Sequence, residues 1–173
     1  MSEQWFFENV AVGDQWRSLG RTITETDVVN FAGVTGDYDP LHVDHEYARH
    51  APFGKPIAHG LLGLSLLAGL SSQSPCMKTA AFIRIHNWEF HKPIYIGDTV
   101  YAETEVTDKQ LEGRRTGRVT WHRRLLNQRG EVLQSGVLET LVFVKNVKRK
   151  PRNAKPSPPS DPASERTREP EED

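Results

Sequence analysis

The sequence predicts an α+β domain in which a curved antiparallel β-sheet wraps around one central buried helix. Three observations predict it. Residues 57–70 place apolar side chains on every side of a helix, and such a helix belongs inside a protein. After it come four segments rich in Val, Ile, Thr, Phe, Tyr and Trp, at 81–90, 99–109, 116–126 and 131–145, which is strand composition. Gly97-Asp98, Gly113 and Gln128-Arg129-Gly130 separate these segments, and strands joined by such short turns pair antiparallel.

Each element has a local reason. Residues 15–23 read as a strand, with Trp16, Ser18, Gly20 and Thr22 on one face. Thr24 followed by Asp27 is a helix-start signal, and Val28, Phe31 and Ala32 keep helical spacing over 25–34. Gly36 is placed to end that helix. Pro40 biases Asp39 away from helical angles, so 37–42 reads as a turn or loop. Asp44 is suited to cap a short helix reaching Arg49, and Pro52, Gly54 and Pro56 make 50–56 irregular. In the buried helix, Gly60, Gly63 and Gly69 cost helix propensity and make sense where backbone or ligand approaches closely. For Gly63 and Gly69 the expected reason is packing. Along 99–106, Val100, Ala102, Thr104 and Val106 alternate with Tyr101, Glu103 and Glu105, the period of a strand with one face buried.

Composition bounds the organisation. The chain has 173 residues with 22 Lys+Arg and 23 Asp+Glu, a formal net charge of −1. A nucleic-acid binder would carry a basic excess, so no nucleic-acid partner is expected. One cysteine, Cys76, permits no intrachain disulfide. The longest apolar stretch, fourteen residues at 57–70, is shorter than the roughly 20 a bilayer requires. Residues 1–5 lack the basic and apolar run of a secretion signal. A cytoplasmic protein without a membrane partner is therefore expected. Residues 147–173 hold six of the 11 prolines, seven basic and six acidic residues, and Val147 as their largest aliphatic. Such a segment buries too little apolar surface to offset its ordering entropy. The expectation is a single folded domain at 1–146 followed by a disordered charged tail.

The chemistry-bearing residues cluster early. His42, His45, His50 and His59 account for four of the 7 histidines, with Asp37, Asp39 and Asp44 among them. Four readings are open. His42, His45 and His50 as metal ligands match neither the helical i, i+4 pair nor a cysteine-containing zinc pattern. Ser65, within Gly63-Leu64-Ser65-Leu66-Leu67, is no nucleophile elbow, and Cys76 has no base beside it in sequence. Asp37 and His42, five residues apart across a Pro40-stiffened loop, suit an acid/base pair near neutral pH. In the fourth reading Asp37 caps a turn and His42 is an ordinary buried or half-buried histidine.

The segment Gly36-Asp37-Tyr38-Asp39-Pro40-Leu41-His42-Val43-Asp44, followed by Phe53-Gly54-Lys55-Pro56-Ile57-Ala58-His59-Gly60-Leu61-Leu62, resembles the MaoC-like dehydratases. These are the hotdog-fold family that includes R-specific enoyl-CoA hydratases. Pro93-Ile94-Tyr95-Ile96-Gly97-Asp98-Thr99-Val100 resembles the family's later Pro-x-x-x-Gly-Asp turn. The resemblance covers about residues 8–145.

Several things are implied by that resemblance. The catalytic pair falls on Asp37 and His42, with Asp39 and Pro40 supporting their loop. An oxyanion contact falls on the backbone N–H of Gly60, while His59 is a hydrogen-bonded residue at the helix start. The reaction would be reversible hydration of a trans-2-enoyl thioester, of coenzyme A or acyl carrier protein, to the (R)-3-hydroxyacyl form. No cofactor and no metal is required, and a homodimer or higher homo-oligomer joined at sheet edges is expected. Two departures stand out. Asp39 occupies the usual Asn position, where an amide can donate and a carboxylate only accepts. Ala68 stands where some hydratases have serine. A hotdog thioesterase and a non-catalytic acyl-thioester-binding module are the alternatives.

Overall fold

In the computed structural model, which describes residues 4–145, a six-stranded antiparallel sheet curves around one helix. This is the expected α+β hotdog. The chain opens with a single 3₁₀ turn, Phe7–Asn9, and two short strands, β1 (Gln15–Arg17) and β2 (Arg21–Thr22). Helices α1 (Glu25–Thr35), α2 (Pro40–Val43), α3 (His45–His50) and α4 (Gly60–Ser71) follow. Four long strands complete the chain: β3 (Thr79–Phe90), β4 (Thr99–Glu112), β5 (Thr116–Leu126) and β6 (Val132–Phe143). Sheet order is β1-β4-β5-β6-β3, with β2 also pairing β4. The residues of the expected tail, 147–173, lie outside those described.

Buried alternation makes the sheet one-sided. Val100, Ala102, Thr104 and Val106 of β4 face inward, as do Val119, Trp121 and Leu125 of β5. Val100, Ala102 and Leu125 meet Leu62, Leu66 and Leu67 of α4, joined by Ile23, Val28, Ala58, Ile94 and Leu133. Burying each such aliphatic side chain is worth about 1.5–3 kcal/mol. A second cluster of Phe7, Val10, Val106, Val119, Trp121 and Val142 seals the other end. Among the described residues no helix is long and apolar enough to cross a membrane.

Three local expectations are corrected. The strand read at 15–23 breaks between β1 and β2, because the Ser18 hydroxyl, not a backbone carbonyl, accepts the Ala102 N–H at 2.9 Å. The buried helix begins at Gly60 rather than at 57; the Ala58 N–H is spent on the Ile94 carbonyl at 2.8 Å, outside any helix. Nor is α4 enclosed on all sides. Leu61, Ser65 and Gly69, four residues apart, stay exposed, Leu61 at 59%. Their spacing makes one uncovered stripe along the helix.

Candidate active site

The site is built at the junction of α1, α2 and α4. Thr24 caps α1 in a reciprocal box with Asp27: the Asp27 N–H donates to Thr24 Oγ1 at 3.2 Å, and the Thr24 N–H to Asp27 Oδ2 at 2.8 Å. The helix ends at Gly36, whose φ of +77° lies in the left-handed region that favours glycine. Asp37-Tyr38-Asp39 then reverses the chain. Residues 40–42, read from sequence as turn or loop, form a single helical turn. Proline is tolerated at a first helical position, and Asp39 Oδ1 accepts the Leu41 N–H at 2.8 Å as the cap. The Asp39 N–H in turn donates to Asp37 Oδ1 at 3.3 Å. Asp39 and Pro40 thus shape the loop, and capping is a task Asp and Asn perform equally.

That turn brings Asp37 and His42 together with His59. One carboxylate oxygen and one ring nitrogen from each histidine all lie within 4.8 Å of one another. His42 Nδ1 is 2.7 Å from the Ile57 carbonyl. A carbonyl only accepts, so Nδ1 carries the hydrogen and Nε2 keeps its lone pair. His59 Nε2 donates in the same way to the Asp37 carbonyl at 2.9 Å and sits 4.0 Å from Asp37 Oδ2. The two imidazoles stack at 3.8 Å with a 31° tilt. His59 is buried and His42 half-buried, while the Asp37 side chain is about half exposed.

The other sequence candidates go elsewhere. His45 pairs with Glu25 at 2.7 Å and His50 with Glu46 at 3.5 Å, so the grouping of His42, His45 and His50 is not assembled. Ser65 Oγ donates to the Leu61 carbonyl at 2.8 Å, one turn back on its own helix. Ala68 lines a different cavity, at the far end of α4.

A cavity of about 330 Å³ adjoins the cluster, lined among others by His42, Gly60, Phe90, Lys92, Ile94 and Gln134. Asp37 lies beside this lining rather than in it. Gly60 is the first residue of α4, and among the described residues its N–H donates to no protein acceptor. First-turn amides are such orphans, at the positive end of the helix. Gln134, buried on β6, anchors this turn: its Nε2 donates to the Gly60 carbonyl at 2.9 Å, and Trp88 Nε1 donates to its Oε1 at 3.3 Å. A Cβ on Gly60 would meet the Phe90 ring at 2.9 Å. Lys92 at the rim reaches Glu131 at 2.7 Å. That bond, then those from Asn127 and Arg129, hold the Glu131 carboxyl down to about 2.

Sequence reasoning did not single out Gln134. Its signal was a polar residue within the buried run of β6, between Leu133 and Gly136. The stacking of His59 on His42 was equally invisible, because it joins residues 17 apart through the turn of α2.

A model of the MaoC like domain matches residues 7–125. The chain belongs to the MaoC-like domain family. The match stops one residue short of the end of β5, so β6 completes the MaoC-like sheet from outside it. The chain is 36% identical over 110 residues to a 3-hydroxybutyryl-CoA dehydratase of Methylorubrum extorquens, covering 64% of this chain and 69% of that protein. It is 35% identical over 100 residues to an (R)-specific enoyl-CoA hydratase of Aeromonas caviae, covering 58% and 73%. Among solved structures, the monoamine oxidase regulatory protein of Archaeoglobus fulgidus superposes with a TM-score of 0.76 at 38% identity, covering 83% of this chain and 97% of that one.

Proposed function

We propose that this MaoC-like protein is a hydro-lyase interconverting trans-2-enoyl and (R)-3-hydroxyacyl thioesters. One observation carries the reading: the Asp37 carboxylate and the His42 imidazole stand within 4.8 Å, and His42 shares a cavity with the unspent N–H of Gly60. A water held between Asp37 and His42 loses a proton to one of them as its oxygen bonds to C3. The C2–C3 double bond shifts its electrons toward the thioester carbonyl, and the acidified partner returns the proton to C2. The Gly60 N–H stabilises the enolate oxygen, a contribution of about 10²–10³ in rate for one such donor. His42 Nε2 is the nitrogen free to act as base, since Nδ1 is committed to Ile57. His59 positions both partners through its bond to the Asp37 backbone and its stack on His42. Dehydration is the same path reversed.

The acyl carrier is coenzyme A or acyl carrier protein, and the compartment is the cytoplasm. The active form is a dimer paired through β3. That strand bonds β6 on one side, and Phe82, Ile85 and Phe90 along it are 50%, 41% and 54% exposed. An uncovered apolar edge strand needs a partner.

The test is the loss of enoyl absorbance from crotonyl-CoA, with chiral analysis of the product. Asp37→Asn and His42→Ala should each lower the rate about 10²–10⁴-fold, the usual share of a general acid or base. Wild-type rates in both variants would refute the pair. Release of free thiol without hydration would replace it with the thioesterase reading.

A further inference from the structure

Strand β3 changes face partway along its length. His86 shares the outer face with Glu139 of β6, where its Nε2 lies 3.0 Å from Glu139 Oε1. The buried neighbours of Glu139 are Leu138 and Thr140, which point the other way. Regular alternation would put Trp88, two residues on, beside His86 on the outer face. Instead the ladder slips. His86 pairs with Val137 and Glu89 with Ser135, so Asn87 and Trp88 together face the single Gly136. This is a β-bulge, a device that re-aims a side chain. Asn87 adopts a φ of +47°, the one positive value at a non-glycine among the described residues, and asparagine tolerates that region better than most residues. Gly136 makes the room: a Cβ there would lie 2.5 Å from the Trp88 ring and 3.0 Å from its Cα. The extra residue swings the indole inward, against the core around α4.

There the indole meets the amide of Gln134, which is only 1% exposed. An indole N–H only donates. Trp88 Nε1 donates to Gln134 Oε1 at 3.3 Å, and this leaves the Nε2 end of the amide for α4. Nε2 carries two hydrogens. One goes to the Gly60 carbonyl at 2.9 Å, and the other has no acceptor among the described residues. A buried donor left unspent is costly. Gln134 also borders the cavity of His42 and Gly60. Bulge, indole and glycine thus converge on one spare N–H, on an amide bonded to the residue whose own N–H is unspent.

We propose that Gln134 is a second oxyanion donor: its spare Nε2–H and the Gly60 N–H together bind the thioester oxygen, and Trp88 positions the amide. This rests on the hydro-lyase reading and adds a catalytic residue to it. As water oxygen bonds to C3, electrons collect on the thioester oxygen, and a preorganised donor there stabilises the enolate more than the ground state. Gln134 gives up no proton and ends the cycle unchanged.

The test uses the full-length chain as wild type, Gln134→Met and Trp88→Phe. Methionine keeps the length of the side chain without its donors, and phenylalanine keeps a ring without its N–H. The first readout is the infrared carbonyl stretch of bound butyryl-CoA, labelled with carbon-13 at C1. This thioester has no double bond to hydrate. Binding to wild type should lower the stretch relative to free thioester. Gln134→Met should restore about half of that lowering, the share of one donor in two, and Trp88→Phe should restore part of it. A loss of packing alone would move a thermal melt and leave the stretch in place. The second readout is crotonyl-CoA hydration, where Gln134→Met should lower kcat about 10²–10³-fold with KM little changed. A wild-type stretch unmoved by binding, or a stretch equal to wild type in either folded variant, overturns the proposal. The two readings fail separately. Hydration of crotonyl-CoA with a stretch indifferent to Gln134 removes the second donor and keeps the hydro-lyase. A stretch governed by Gln134 in a protein that hydrates nothing does the reverse.

Discussion

Two glycines of one helix should respond to the same substitution with opposite signs. A Cβ at Gly63 would lie 2.4 Å from Gln134 Nε2 and 2.4 Å from Ile94 Cδ1. Ordinary carbon contacts need about 3.5–4.0 Å, so both of those atoms must retreat by about an ångström. Ile94 and Gln134 are both buried. Gln134 is also tied by both ends of its amide, to the Gly60 carbonyl and to Trp88. Overpacking of this kind costs about 1–3 kcal/mol, and a strained Gln134 bond adds about 1 kcal/mol. The helix-propensity gain of Gly→Ala returns about 1 kcal/mol. Gly63→Ala should therefore lose about 1–3 kcal/mol. Gly69 has nothing within 4 Å of its would-be Cβ, so Gly69→Ala should gain about 0.5–1 kcal/mol from propensity alone. Urea unfolding followed by circular dichroism measures both. Shifts of the same sign in the two variants would refute this account of what the glycines do.

Other perturbations follow from the same geometry. Asp39→Asn should keep the cap on Leu41 and leave hydration of crotonyl-CoA near wild type. Asp39→Ala should cost about 0.5–2 kcal/mol and lower the rate with it; a thermal melt beside the kinetic assay separates the two. The depressed carboxyl of Glu131 contributes stability above its unfolded value of 4.5 and loses it as pH falls toward 2. Glu131→Gln should thus flatten the dependence of melting temperature on pH between about 5 and 2.5. Ile85→Lys places a charge on the open edge of β3 and should shift sedimentation toward the monomer; an unchanged sedimentation coefficient would argue that β3 is not the pairing edge.

Much was legible in the sequence because it is local or periodic. The capping box of Thr24 and Asp27, the cap at Asp44 and the ends of β5 depend on neighbours a few residues away. The alternation along β4 and β5 reports which face is buried, whatever it is buried against. The long motif around Asp37, Asp39, Pro40 and His42 identified the family by the same local pattern. The candidates that it implies for the site, Asp37, His42 and Gly60, could be named before any contact was known.

Tertiary structure alone decided how those residues meet. The stack of His59 on His42, the tie from Gln134 to Gly60 and the direction of the His42 proton each join segments far apart in the chain. Hydrogen bonding across such distances leaves no period in the sequence. Gly63 and Gly69 look alike as letters, yet one is pressed by two side chains and the other faces open space. Arg123 kept the inward phase of its strand with a charge attached. Only the packed fold shows that, among the described residues, no acid was set against it.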